Sequence, residues 1–117
     1  MNTMKTDDMT LINLTPHALV IWGTDGILTI PQSGDVARLT VTRTEKPPIN
    51  SKAVEIRISL PVMGEIVGIP APVAGVIYVV SALVAEKAKR ADVMSPGELK
   101  RDPQGRVIGA WGLCAYV

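Results

Sequence analysis

The chain has 117 residues and a mass of 12.5 kDa, which is the size of one domain. Hydrophobic residues make up 47% of the chain and charged residues 20%, so a chain that is disordered throughout is excluded. Twelve basic and eleven acidic residues leave a net charge of +1, which excludes the basic footprint of a protein that coats nucleic acid regardless of sequence. The single cysteine, Cys114, excludes an intrachain disulfide.

The composition predicts one domain over residues 1–117, with residues 1–9 as a flexible tail. These first residues are polar and carry two aspartates, unlike a signal peptide, and together with the free thiol this favours the cytoplasm of a host cell. Residues 66–85 contain no charge over a length that could span a bilayer, but glycines and prolines interrupt the first half. We therefore expect no membrane association.

The N-terminal third predicts short strands joined by turns. Residues 11–14 and 18–22 are aliphatic and predict one bent strand, interrupted by Thr15-Pro16-His17. A turn at residues 24–26 then leads into a returning strand over residues 26–30.

Two later segments alternate between apolar and polar residues, as half-buried strands do. Residues 35–44 are the first, with Ala37, Leu39 and Val41 on one face. Residues 52–60 are the second and clearest, with Val54, Ile56, Ile58 and Leu60 on one face. Residues 45–51 contain two prolines and predict a loop between these strands.

The next region predicts a loop, a central strand and a helix. Residues 64–74 are expected to form a loop with a short strand at 65–67, and the β-branched run 75–80 predicts a buried strand. Ser81 suits the N-cap of a helix over residues 82–90, because its hydroxyl can accept from an unpaired backbone N–H of the first turn. The expected buried stripe of that helix consists of Leu83, Val84 and Ala88.

The C-terminal region predicts a hairpin. A turn at residues 95–97 leads into an extended segment at 98–101, a tight turn follows at 102–105, and residues 106–108 return. Residues 113–117 close the chain as a strand. The predicted fold class is α+β, a β-rich antiparallel sheet domain with one clear helix in the C-terminal half.

Residues that could carry catalysis or bind a metal are isolated from one another. His17 and Cys114 have no second ligand at a metal-binding spacing, and the chain contains no nucleophile elbow, phosphate-binding loop or dinucleotide fingerprint. Cys114 with His17 as base is an alternative, but a small buried thiol is the favoured interpretation. We expect no enzyme activity, no metal and no cofactor.

Arginines beside turns are the main feature that could recognise a ligand. Arg101 and Arg106 flank the turn at residues 102–105, and Arg90 ends the predicted helix just before Asp92. Converging guanidinium groups match phosphate oxygens, although the same arginines could be solvated surface residues. Two aromatic residues have a similar ambiguity, since each could pack in the core or stack on a nucleobase: Tyr78 and Trp111.

The order of several short motifs resembles that of a group of short phage and prophage proteins. The motifs span most of the chain: Asn13-Leu14-Thr15-Pro16-His17, Ser33-Gly34 with Ala37-Arg38, Ile77-Tyr78-Val79-Val80-Ser81 leading to Arg90 and Asp92-Val93, and Arg101-Asp102 with Gly105-Arg106. The group is similar to the Thoeris anti-defence proteins of the first type, which sequester a cyclic ADP-ribose isomer, and in some members cyclic oligonucleotides, without cleaving them.

The resemblance implies a homo-oligomer that encloses a cyclic nucleotide between its copies. It implies phosphate contacts from Arg90, Arg101 and Arg106, a ribose or base contact from Asp92, and a base contact from Tyr78 or Trp111. His17 and Thr15 are further candidates. Long nucleic acid is not an expected partner, because four aromatic residues are too few for a platform of stacked bases.

Three hypotheses follow for the function. The first is a phage protein that binds cyclic nucleotide immune signals without cleaving them. The second is a structural or protein-interaction module of phage origin, in which the arginines are solvated surface. The third, an enzyme acting on nucleotides, has the least support.

Overall fold

The structure is a computed structural model that describes residues 8–117, so the tail predicted over residues 1–9 lies mostly outside the described residues. Strands account for 56% of the model, which makes the chain more strand-dominated than the predicted α+β class suggests. The elements in chain order are β1 (Thr10–Asn13), β2 (Leu19–Trp22), β3 (Ile27–Ile30), β4 (Arg38–Ser51), β5 (Val54–Val67), β6 (Val76–Val79), α1 (Ala82–Ala88), β7 (Val93–Arg101) and β8 (Val107–Ala115).

Six of the strands form one sheet in the order β1-β6-β7-β8-β2-β3. The predicted bent strand over residues 11–22 is therefore wrong, since β1 and β2 pair with different neighbours. The two ends of the sheet approach each other, because the backbone N–H of Ser33, just after β3, donates to the carbonyl of Asn13 in β1 at 3.1 Å. The sheet is nearly closed on itself.

The sheet is mixed, and the prediction of an antiparallel sheet is wrong for three of its five pairs. β1 and β7 both run parallel to β6, and β2 runs parallel to β8, whereas β2 with β3 and β7 with β8 are antiparallel. The pairing of β6 with β7 is parallel because α1 carries the chain from the end of β6 back to the start of β7 as a crossover connection.

The side chain of Asn13 holds the seam between β1 and β3. It is fully buried, and its Nδ2 donates to the carbonyls of His17 at 2.7 Å and Ile30 at 3.2 Å. Its Oδ1 accepts from the backbone N–H of Thr15 at 2.9 Å and from the Thr15 hydroxyl at 2.6 Å. All hydrogen-bonding positions of this amide have partners, as a buried amide requires.

The predicted helix is confirmed and is shorter than expected. Ser81 is the N-cap and accepts from the backbone N–H of Val84, as predicted, and Lys89 ends the helix in the left-handed conformation with φ of 49°. Val84 and Ala85 form the buried side. The prediction of Leu83 in the buried stripe is wrong, because this side chain is 50% exposed.

Two hydrophobic clusters make up the core. The larger one joins α1 to β1, β6 and β7, and its buried residues are Leu14, Ala37, Tyr78, Val80, Val84, Ala85 and Val93. Leu39 of β4 and Ile66 of β5 pack against its edge. The smaller cluster lies among β2, β3 and β8 and consists of Ile21, Ile30 and Ala110. Only the base of the β4–β5 hairpin therefore contacts the core.

The remaining strands, β4 and β5, form a separate two-stranded hairpin of 14 residues on each side, called here the arm. The predicted loop at residues 45–51 is wrong, since β4 continues through Pro47 and Pro48. Both prolines fall at a register shift between Lys46 and Ile49, where a missing N–H breaks no regular ladder bond. Lys52 and Ala53 turn the chain with φ of 51° and 67°, as in a type I′ turn.

The arm makes the molecule elongated. The described part of the molecule measures 72 × 40 × 25 Å, and its radius of gyration is 18.7 Å. A compact domain of this length has a radius of gyration of about 13 Å. A large part of the chain therefore projects beyond the body that the six-stranded sheet and α1 form.

The C-terminal hairpin is longer than predicted. The turn at residues 102–105 is confirmed, with a 2.9 Å bond from the N–H of Gly105 to the carbonyl of Asp102. The turn predicted at residues 95–97 is wrong, because these residues belong to β7. Pro96 is tolerated there because β6 pairs with β7 only as far as Met94, so one edge of β7 is free at the proline.

Candidate functional site

Arg90 and Asp92 form a two-bond ion pair between α1 and β7. The Nε of Arg90 donates to Oδ1 of Asp92 at 2.9 Å, and its Nη2 donates to Oδ2 at 2.6 Å. The hydrogen bond from Arg90 holds the pKa of Asp92 below its usual value, and the same bond raises the pKa of Arg90. Both groups are charged at neutral pH and are already paired within the chain.

This pair and Tyr78 hold the loop that follows β5. Nη2 of Arg90 also donates to the carbonyl of Pro70 at 3.2 Å, and the Tyr78 hydroxyl donates to the carbonyl of Ala71 at 3.3 Å. Tyr78 is only 3% exposed, so its ring packs in the larger core cluster and offers no open face within the chain. A cavity of about 400 Å³ lies beside the loop, between Leu14, Asp35 and Ile69.

Thr15 and His17 lie in the turn that Asn13 organises. Thr15 is buried and its hydroxyl donates to Oδ1 of Asn13, while the side chain of His17 is exposed. The Asn13-to-His17 motif therefore has a structural role at the sheet seam. Whether Thr15 or His17 contacts a ligand stays a prediction.

Arg101 and Arg106 lie together at the turn between β7 and β8. Nη1 of Arg101 donates to the carbonyl of Gly105 at 2.8 Å, and Nε of Arg106 donates to Oδ2 of Asp102 at 2.9 Å. Oδ1 of Asp102 accepts from the backbone N–H groups of Gln104 and Arg106, each at 2.9 Å. The bond from the Arg106 backbone is the largest cause that lowers the pKa of Asp102. Both guanidinium groups remain exposed to solvent.

A single chain does not gather the three predicted phosphate-binding arginines. Arg90 precedes the first residue of β7 and Arg101 is its last residue. From Val93, the first residue of β7, to Arg101 the strand rises about 26 Å at roughly 3.3 Å per residue, and Arg90 lies before Val93 in the chain. Arg101 and Arg106 thus form one location, and Arg90 with Asp92 forms another.

Two tryptophans and a lysine form a cluster on β2, β8 and β7 near the first of these locations. Trp22 and Trp111 are neighbours in the parallel pairing of β2 with β8, and their ring centroids lie 5.8 Å apart with a 59° angle between planes. The ammonium of Lys100 lies 5.1 Å from the Trp22 centroid and 4.9 Å from the Trp111 centroid. We call these three residues the Trp-Lys cluster.

The Trp-Lys cluster leaves one ring and one cation available to a ligand. The Trp111 ring is 47% exposed, and Lys100 forms no ion pair with an acidic side chain of residues 8–117. Attraction to the two rings is worth on the order of 1 kcal/mol, so it holds the ammonium in place without neutralising it. Glu98 lies directly across from Trp111 in the pairing of β7 with β8, so the arrangement suits a ligand that offers a flat ring and a negative charge to Lys100 and a hydrogen-bond donor to Glu98.

Backbone packing under Trp22 keeps the cluster rigid. A side chain at Gly109 would lie 2.8 Å from Nε1 of Trp22 and 2.6 Å from the carbonyl of Val20, so only glycine fits there. The Nε1 atom itself is buried and has no hydrogen-bond partner among the described residues. Burying this N–H without a partner lowers the free energy of unfolding, and the close packing of the Trp22 ring on Gly109 holds the N–H in this position.

The sequence analysis singled out Trp111 but missed Trp22 and Lys100. These residues meet only through the pairing of β2 with β8 and of β7 with β8, which brings together positions far apart in the chain. The alternation along β7 places Lys100 and Glu98 on one face and Leu99 on the other. An apolar cavity of about 370 Å³ lies beside Leu99, lined also by Ile21, Pro96 and Val107.

Other kinds of site find little support in the part of the chain that the structure describes. Residues 8–117 hold no cluster of three or more His, Cys, Asp and Glu side chains arranged to share a metal ion. No helix among these residues has both the length and the apolar character needed to cross a bilayer.

In comparisons with protein families, curated proteins and solved structures, the chain matches none.

Proposed function

We propose that this protein binds a small cyclic nucleotide without cleaving it, and that the Trp-Lys cluster is where the base is held. The observation that carries the proposal is the half-exposed Trp111 ring with the Lys100 ammonium 4.9 Å from its centroid. A base stacked on an aromatic side chain contributes about 1–3 kcal/mol. Lys100 supplies a charge for a phosphate beside the stacked base.

Arg101 and Arg106 are the arginines that best fit the phosphate role in this proposal. Arg101 follows Lys100 on β7 and therefore starts on the opposite face of the sheet, and both arginines belong to the turn at the end of the same hairpin. Arg106 is bonded to Asp102 through Nε, so its two terminal nitrogens remain free to donate. A phosphodiester bound beside Trp111 would meet Lys100 on its own face of the sheet, with the two arginines at the turn that ends the same hairpin.

The cellular role comes from the resemblance to Thoeris anti-defence proteins. In this role the protein belongs to a phage, acts in the host cytoplasm and sequesters cyclic ADP-ribose isomers or cyclic oligonucleotides. A homo-oligomer can enclose such a ligand between copies, so that residues of a second copy complete the site. Contacts from Arg90, Asp92, Tyr78, His17 and Thr15 stay predictions, since most of these groups are engaged within their own chain.

Titration of the purified protein with cyclic ADP-ribose isomers and cyclic dinucleotides tests the proposal. We expect Trp111→Ala to weaken binding of the preferred nucleotide about tenfold or more, because it removes the stacking surface. Leu83→Ala is the control, since Leu83 is equally exposed but lies on α1. Equal affinities of the two variants would contradict the assigned site.

The absence of cleavage needs a separate measurement. The protein is loaded with nucleotide, freed of excess ligand and heated until it unfolds, and the released nucleotide is then analysed. Recovery of the intact cyclic form is the expected result. Recovery of a linear product would contradict sequestration and favour an enzyme.

A second candidate function is a structural or protein-interaction module of phage origin. The observation that favours it is the arm, whose apolar side chains are exposed along most of its length. If none of the nucleotides raises the melting temperature and the protein co-purifies with virion proteins, this function replaces the first.

A further inference from the structure

The register of β4 with β5 gives the arm two different faces. Side chains that pair across the strands share a face, and successive residues alternate. One face, called here the apolar arm face, consists of Val54, Ile56, Ile58, Leu60 and Val62 of β5 with Thr42, Thr44, Lys46 and Ile49 of β4. The other carries Arg43, Glu45, Arg57 and Ser59, with an ion pair between Arg57 and Glu45, and is apolar only near the base of the arm, at Val41, Pro61 and Met63.

The body of the same chain contacts the opposite face of the arm. Leu39 packs against the core, and by alternation along β4 it lies on the side opposite to Thr42 and Thr44. The apolar arm face consequently turns away from the core and is left uncovered by residues 8–117. Ile56 is 41% exposed and Leu60 is 48% exposed.

An uncovered apolar face of this length is unfavourable in water. A two-stranded hairpin alone is marginally stable, and its stability comes from packing one face against another layer. The arm has the alternation of a sheet that is half buried, with charges and an ion pair on the wet side. The missing layer must come from another molecule.

We propose that the apolar arm face packs against the same face of a second copy, so that two arms form a two-layer sandwich about a two-fold axis. Two sheets pack face to face at a separation of about 10 Å. In a two-fold dimer the same patch of each copy forms the interface, so no second apolar arm face stays exposed to bind a third copy. The proposal supplies the interface of the homo-oligomer proposed above, but it stands on the arm alone and needs no nucleotide.

The charge of the face favours a second copy over nucleic acid or a lipid surface, and its area is sufficient for a dimer. Covering the nine side chains removes on the order of 500 Å² from water in each copy, which reaches the total of about 1,000 Å² that a stable interface needs. Lys46 is the only charged residue of the face, too little for nucleic acid or an anionic lipid surface. A net charge of +1 leaves little repulsion between copies.

Sedimentation of the full chain without nucleotide tests the proposal. We expect the wild type to sediment as a dimer or a multiple of it at 50 µM. Leu60→Lys places a charge in the centre of the interface and should raise the dissociation constant at least about 100-fold. Ser59→Lys, one residue away on the polar face, is the matched control and should leave the dimer unchanged.

A cross-linking experiment covers the case in which Leu60→Lys fails to fold. Ile58 lies at the middle of the face, so in a Cys114→Ser background a short bis-maleimide reagent, which spans the gap of about 10 Å between two packed sheets, should join Ile58→Cys into a covalent dimer. Ser59→Cys in the same background should not. A monomeric wild type, or equal cross-linking of both cysteine variants, would overturn the proposal. Nucleotide binding is measured separately, so failure of the arm interface leaves the Trp-Lys site open to its own test.

Discussion

At the scale of single residues, Asn13 is the side chain on which the closure of the sheet most depends. Its amide bonds to Thr15, His17 and Ile30 from a fully buried position. Removing it leaves the carbonyl of Ile30 and the backbone N–H of Thr15 buried without a hydrogen-bond partner, and each such group costs about 1–3 kcal/mol.

We therefore expect Asn13→Ala to lower the free energy of unfolding by about 2–4 kcal/mol in urea titration. His17→Ala is the control and should change it by less than about 0.5 kcal/mol, because its side chain is exposed. Equal urea midpoints for the two variants would show that the seam does not depend on this amide.

The ion pair of Arg90 with Asp92 predicts how stability depends on pH. The pKa of Asp92 is lower in the folded chain than in the unfolded chain, so the unfolded state binds more protons in acid. The pair's contribution is present above the ordinary carboxyl pKa of about 4 and is lost as pH falls through the folded value.

Asp92→Asn should lower the melting temperature at pH 7 and have a smaller effect at pH 3, below the ordinary carboxyl pKa of about 4, because the unfolded chain then takes up protons and the contribution of the pair declines. Glu55→Gln, on the exposed arm, is the control. Melting curves of the three proteins from pH 7 to pH 3 check this expectation. A difference between Asp92→Asn and wild type that grows as the pH falls would contradict it.

At the scale of elements, β7 and β8 approach each other closely at Gly97. A Cβ at this position would lie 2.1 Å from the carbonyl oxygen of Trp111, which is backbone and cannot move aside. The close approach lets a nine-residue strand with a proline pair along most of its length with β8.

Gly97→Ala should lower the free energy of unfolding by about 3 kcal/mol or more, because β7 must separate from β8 at this point. Gly26→Ala has open space around the new methyl and is the matched control. Urea titration of both variants measures the difference. A Gly97→Ala protein as stable as Gly26→Ala would mean that the strands lie further apart.

Local signals predicted some elements correctly and failed for others. The cap at Ser81 and the turn at residues 102–105 depend on neighbouring residues, so the sequence alone was sufficient for them. The arm was missed because Pro47 and Pro48 indicate a loop, whereas a register shift accommodates both. Its turn, Lys52-Ala53, lacks the glycine or asparagine that usually marks a two-residue hairpin.

At the scale of the whole molecule, the order of the strands in the sheet and the exposure of the apolar side chains could not be predicted from the sequence. The parallel pairing of β1 with β6 joins distant segments, and no local pattern specifies it. The same is true of the Trp-Lys cluster, whose members come from three strands. The alternation in residues 52–60 correctly predicted a strand with one apolar face, but which molecule covers that face depends on what lies outside the chain.

The position of the arm in the chain also determines when it forms during synthesis. The arm is complete once Val67 has left the ribosome, and its turn is local, so it can fold within microseconds. At roughly 5–20 residues per second, β6, β7 and β8 follow over several seconds, and β1 has no partner until β6 arrives. The apolar arm face can thus form before the body, and because a hairpin alone is marginally stable, contact between the arms of nascent chains on neighbouring ribosomes would stabilise it.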